Sequence, residues 1–202
     1  MRLFIAIELD DDARHAIAAE QTRLKAVLGD ERSALKWIRP EHMHLTLAFL
    51  GEVEDGPAQA VGEAIGQPVQ ADPVAIVFGG LGVFPPGGAP RVLWLGLASG
   101  ASEVIAVQGE IAARIARLGI ALERRPFHPH LTLARWRTSR PSDRRRVAAA
   151  DSPHDIARIE IHELSLIHSR LSPAGPTYVT LARGSLSQGP VARGAVSREH
   201  PD

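Results

Sequence analysis

Residues 39–48 read RPEHMHLTLA, and residues 125–134 read RPFHPHLTLA. Eight of the ten positions are identical, at a shift of 86 residues. The likeness extends outward in pattern. Residues 2–9 (RLFIAIEL) match residues 91–98 (RVLWLGLA), each a short apolar run rich in strand formers. A helical pattern follows each run, over residues 11–28 and 102–118, and Gly29 and Gly119 stand where a helix would stop. Short strands over residues 34–38 and 120–123 then lead into the repeated motif. Beyond it come a helix (57–65, then 142–150) and a pair of strands closed by a Gly/Pro-rich turn. The first pair is 74–84 with 91–97 around PPGGAP, and the second is 156–169 with 178–182 around SPAGP.

Two copies of strand–helix–strand–strand, rather than many short repeats, exclude a solenoid. They predict an α+β, bilobal, duplicated fold with pseudo-two-fold symmetry. Two mainly antiparallel sheets should face each other across a central cleft, with helices outside. Neither a GxGxxG turn nor a GxxxxGK[ST] loop is present, which argues against a doubly wound nucleotide fold. The length of 202 residues suits a single bilobal domain over residues 1–183, with residues 184–202, rich in Gly, Ser, Pro and charge, expected as a flexible tail.

Composition narrows the chemistry. There is no cysteine, so thiol nucleophiles, disulfide scaffolds, Cys-type zinc sites and iron–sulfur clusters are excluded together. Nine histidines remain, and four of them (His42, His44, His128, His130) fall in the repeated motif. The formal net charge is zero, from 23 basic and 23 acidic side chains, which speaks against nucleic-acid coating by bulk charge. The charge is uneven, however. Residues 41–72 carry six acids and no Lys or Arg, whereas residues 123–146 carry eight arginines against Glu123 and Asp143. No signal-peptide pattern and no run of bilayer-spanning length occurs, so a cytoplasmic protein is expected.

On a strand, HLTL sends its leucines to one face and its histidine and threonine to the other. Each copy therefore offers one imidazole and one hydroxyl side by side. Core packing alone would keep only the leucines, so recurrence of the His–Thr pair points to chemistry. Free histidine titrates near neutrality, so one ring can accept a proton while the other donates one. In-line displacement at phosphorus, with its entering and leaving oxygens on opposite sides, fits such a pair, and the threonine hydroxyls can hold the non-bridging oxygens.

His44-Leu45-Thr46-Leu47 and His130-Leu131-Thr132-Leu133 resemble the paired HxTx motifs of the two-histidine (2H) phosphoesterase superfamily, and within it the RNA 2′,3′-cyclic phosphodiesterases, also called 2′-5′ RNA ligases. The resemblance spans about residues 2–186, including WIRPEHMHLTLAFLGEV, FPPGGAPRVLWLGL, FHPHLTLAR and LSPAGPTYVTLARGSL. It implies opening of an RNA 2′,3′-cyclic phosphate to a 2′-phosphate without metal or other cofactor, and a related 2′-5′ RNA ligase activity; a monomer is expected. His44 would be the general acid at the departing 3′ oxygen and His130 the general base. Thr46, Thr132 and Arg135 would bind phosphate. Strict alternation puts Arg135 on the leucine face, so the strand must end or bulge near Ala134. The equivalent position in the first copy is Phe49. Phe127 and Arg137 are candidate RNA contacts, as are Arg140 and the arginines at 144–146. The residues alone leave two other readings open. One is a metal-dependent phosphohydrolase built on the HxH pairs His42/His44 and His128/His130. The other is a nucleotide- or RNA-binding module without turnover.

Overall fold

The structure is a computed structural model that describes residues 1–28, 35–123, 125–150, 153–173 and 175–187. Each half opens with an apolar strand, β1 (Arg2–Glu8) and β6 (Val92–Ser99), and then a helix. In α1 (Asp11–Leu28) the Asp10 carboxylate accepts the Ala13 amide at 2.7 Å, and Asp11 and Asp12 add negative charge to the first turn. Its buried face, Ala13, Ile17, Gln21, Leu24 and Leu28, follows steps of three and four. In α3 (Ala101–Arg117) the buried stripe is Val104, Val107, Ile111 and Ile115, and Gly119 leaves the helix with φ +75°. The motif strands are β3 (His44–Glu52) and β7 (Leu131–Trp136), followed by α2 (Asp55–Gly66) and α4 (Pro141–Ala150). The remaining strands are β2 (Leu35–Trp37), β4 (Val69–Gln70), β5 (Val74–Phe84), β8 (Ala157–Ile161), β9 (Glu163–Ser172) and β10 (Gly175–Ser187).

The strands run in the order β4-β10-β9-β1-β3-β7-β6-β5-β8, with β2 beside β7. The expected duplication is visible in this order: β10-β9-β1-β3 is mirrored by β8-β5-β6-β7. Within each lobe the pairing is antiparallel, apart from the short parallel pair β10·β4. The lobes draw on both halves of the chain. β5, from the first half, pairs with β6, while β9, from the second half, returns to pair with β1. The helices cross over likewise: α1 packs with α4 and β8, and α2 with β9 and β10. Among the described residues the ladders of the two lobes meet at one residue pair, Leu45↔Leu131 of β3 and β7, which joins them into one hydrogen-bonded path over a shared core.

Three expectations change. Residues 120–123 form no strand; Ile120 and Leu122 instead lay their side chains on the main core without a ladder partner. The run 156–169 is two strands rather than one. β8 pairs with β5 in one lobe and β9 with β1 in the other, and the chain crosses between them at His162. Residues 184–187, expected in the tail, instead continue β10, with Leu186 buried and its amide donating to the His162 carbonyl at 2.7 Å. Residues 188–202 lie outside the described residues.

Both motif strands carry a bulge at the same place. Ala6 pairs with Thr46 but Ile5 with Ala48, which leaves Leu47 unopposed; Trp94 pairs with Thr132 but Leu93 with Ala134, which leaves Leu133 unopposed. Alternation therefore slips by one. Leu47 and Ala48 are both buried, as are Leu133 and Ala134, while Phe49 and Arg135 emerge exposed. The second bulge is clamped from outside the strand. The Leu133 carbonyl accepts the Ile38 amide at 2.9 Å and Gln21 Nε2 at 3.1 Å, and Gln21 Nε2 also donates to the Ile38 carbonyl at 2.8 Å. Gln21 is fully enclosed, so water cannot replace it. Gln21→Met keeps the length and removes both bonds; it is expected to destabilise the fold by about 1–3 kcal/mol, read as a lower urea midpoint. An unchanged midpoint would mean that the bulge holds itself.

Candidate active site

The site begins with the two faces of β1. Leu3, Ile5 and Ile7 enter the main core, whereas Phe4 and Ala6 form a small separate cluster with Ile167 and Tyr178 on the opposite face. The motif strands continue that division. Leu45, Leu47, Leu131 and Leu133 lie in the main core, and His44, Thr46, His130 and Thr132 stand half-buried on the other side. The Leu45↔Leu131 bridge fixes their relation. In an antiparallel pair it sets His44 across from Thr132 and Thr46 across from His130. The structure thus brings the four motif residues together on adjoining strands of one face.

The imidazoles are held alike. Nδ1 of His44 donates to the His42 carbonyl at 2.9 Å, and Nδ1 of His130 to the His128 carbonyl at 2.7 Å. A carbonyl only accepts, so Nδ1 carries the proton in each neutral ring and Nε2 is left for a reactant. This is the work of His42 and His128 here: their backbones orient the rings two residues on. Burial pushes His44 down from 6.5 to about 4, against the opposing pull of the His42 carbonyl and of Glu8, its cross-strand partner. Burial also lowers His130, with the positive charge of Arg135 adding to the effect; Arg135 acts on His44 in the same sense.

Aromatic rings wall both histidines, a feature the motif did not announce. His44 stacks on Phe4 with centroids 4.7 Å apart, and Tyr178 meets His44 edge-on at 5.4 Å and His42 at 5.0 Å. On the other side Phe84 meets His130 edge-on at 5.0 Å, and Trp94 lies 4.8 Å from His128. The Trp94 ring rests where a side chain on Gly82 would stand, 2.0 Å from an added Cβ. Of the three tryptophans, Trp37 and Trp136 pack on the main core and Trp94 belongs to the site wall. Glu8 was also missed. A charged residue at the end of an apolar strand reads as solvated, and only its register opposite His44 gives it meaning.

The bulge at Leu133 carries Arg135 onto the histidine face, where its charge reaches both imidazoles and Tyr178. The other RNA candidates disperse. Phe127 packs against the main core. Arg144 donates to the carbonyls of Pro85 at 2.7 Å and Gly88 at 3.2 Å, and Arg146 to that of Leu28, so these two brace the fold. Arg137 is exposed just past β7. Among the described residues no three His, Asp or Glu side chains converge as a metal-holding set, and no helix is long and apolar enough to cross a membrane.

The chain and its fold have known relatives. A 181-residue stretch is 31% identical to an RNA 2′,3′-cyclic phosphodiesterase of Archaeoglobus fulgidus, covering 90% of this chain and 98% of that one. The fold matches the crystal structure of TT0787 of Thermus thermophilus with a TM-score of 0.74 and 28% identity, over 93% of this chain and 99% of that one. It also matches E. coli LigT complexed with 3′-AMP, with a TM-score of 0.72 and 26% identity, over 93% and 98% of the two chains. The model of the 2′-5′ RNA ligase superfamily covers residues 9–173, and with that span the chain belongs to this superfamily.

Proposed function

We propose that this chain hydrolyses RNA 2′,3′-cyclic phosphate ends to 2′-phosphates without a metal ion. The observation that carries the reading is the pair of His–Thr dyads on one face, each ring fixed through Nδ1 so that Nε2 is free. The name of the A. fulgidus relative and the 3′-AMP bound to E. coli LigT support the substrate class. In the reaction His130 Nε2 takes a proton from water as its oxygen bonds to phosphorus. The P–O3′ bond breaks, and His44 Nε2–H gives its proton to O3′. Thr46, Thr132 and Arg135 hold the non-bridging oxygens as charge builds on them. Burial disfavours the protonated form of His44, and the Glu8 carboxylate opposite the ring offsets part of that cost, which supports the acid role on this side of the site. A ribose 5′-hydroxyl in place of water would give the 2′-5′ ligation.

Incubation of a 2′,3′-cyclic-phosphate oligonucleotide in EDTA, with the product's phosphate located by ³¹P NMR, tests reaction, regiochemistry and metal need together. A 2′-phosphate is expected; activity that requires added zinc or manganese would refute the mechanism. His44→Ala and His130→Ala should each lower turnover roughly 10²–10⁴-fold with the melting temperature near wild type. Near-normal turnover in either would remove that histidine from the chemistry.

The pH profile has a definite sign. Both rings titrate below the ordinary histidine value of 6.5. The productive free enzyme holds one ring protonated and one neutral, a form most populated between the two titrations. The bell in kcat/KM should therefore peak on the acid side of 6.5. The bound phosphate's negative charge favours imidazolium, so the kcat bell should lie higher. A kcat/KM optimum above pH 7.5 would contradict this assignment.

A further inference from the structure

Two guanidinium groups beside the histidine face are those of Arg135 and of Arg2, at the start of β1. Among the described residues, neither makes an ion pair or a side-chain hydrogen bond. The Arg2 guanidinium carbon instead lies 5.0 Å from the centroid of Phe49. Phe49 is 48% exposed and stands where the second copy has Arg135. The first lobe thus recovers, from a neighbouring strand, the cation that its own motif strand lacks.

The position of this cation separates it from the reacting phosphate. Along β1 the residues on the site face are Arg2, Phe4, Ala6 and Glu8, and Ala6 is the partner of Thr46. Arg2 is four residues from Ala6, a distance of about 13 Å between backbones at roughly 3.3 Å per residue. A cyclic phosphate carries one negative charge, already met by the two threonines, Arg135 and a protonated ring. A mononucleoside cyclic phosphate has nothing further for Arg2 to bind. An RNA chain does, because another phosphodiester joins the terminal nucleotide to the one before it. Stacking on Phe49 fixes the guanidinium plane and leaves its N–H edges outward, the geometry that takes a phosphate with two parallel bonds.

We propose that Arg2, held on Phe49, binds the phosphodiester on the 5′ side of the terminal nucleotide, so that the site selects RNA chains over mononucleoside cyclic phosphates. This rests on the cyclic-phosphodiesterase reading above. The test compares kcat/KM for a dinucleotide ending in a 2′,3′-cyclic phosphate with that for a mononucleoside 2′,3′-cyclic phosphate, in wild type, R2M and R2K. R2M should depress the dinucleotide value about tenfold more than the mononucleoside value, mainly through KM, as expected for loss of a charge-assisted pair. The salt dependence of the dinucleotide reaction should flatten by about 0.7 in log–log slope. R2K keeps the charge without the planar fork; it should fall between, and it gives the same comparison should R2M not fold. Equal losses on both substrates, or no loss on either, would overturn the proposal. Wild type inactive on both substrates would instead overturn the phosphodiesterase reading, and this proposal with it.

Discussion

The Leu45↔Leu131 bridge is the constraint on which the site depends. Among the described residues it is the one ladder pair between the two antiparallel lobes, and both of its side chains are wholly buried. Because strand side chains alternate, burying this pair commits its neighbours, His44, Thr46, His130 and Thr132, to the opposite face. A slip of one residue would bury the imidazoles and expose the leucines. The hydrophobic effect thus sets the register, and the register sets the chemistry. The crossing connections strengthen the arrangement, since each lobe contains strands and helices from both halves of the chain and neither lobe can form without the other.

The same burial creates the site's main tension. Packing aromatic rings around the histidines orients them and lowers the local dielectric, which strengthens hydrogen bonds to phosphate. It also disfavours the imidazolium that the proposed reaction needs. The substrate resolves this. In the proposed reaction the phosphate's negative charge, placed between the rings, stabilises the one imidazolium that the productive form holds.

The repeated motif told in advance which side chains share a face, because its information is local. Eight matched positions define two strands, their inward leucines and their outward histidines and threonines. The need for a bulge before Arg135 could also be read, from the conflict between alternation and function. What could not be read was pairing between distant segments. Residues 156–169 look like one apolar strand, and only the sheet shows that its two parts serve different lobes. Phe127 sits beside the second motif and looks available for a base, yet it packs on the core, whereas Phe4, Tyr178, Phe84 and Trp94 reach the histidines from remote strands. Adjacency in sequence is a poor guide to adjacency on a sheet whose neighbours lie tens of residues apart.

A duplicated site poses a further question, since an acid and a base must differ while equivalent copies tend to be alike. The copies agree in what orients a ring: each Nδ1 is bound to the carbonyl two residues back. They differ in what surrounds it. Glu8 lies opposite His44, while the same register in the other lobe sets Gly96 opposite His130. That glycine stands beside the Trp94 ring, which an added Cβ would meet at 3.3 Å. One lobe therefore holds a carboxylate at this position, and the other leaves it bare beside an indole. Arg135 and Phe49 diverge in the same way at the bulges. The repeat provides matched geometry, and in the proposed reaction the unmatched residues beside it are what separate the acid, His44 opposite Glu8, from the base, His130.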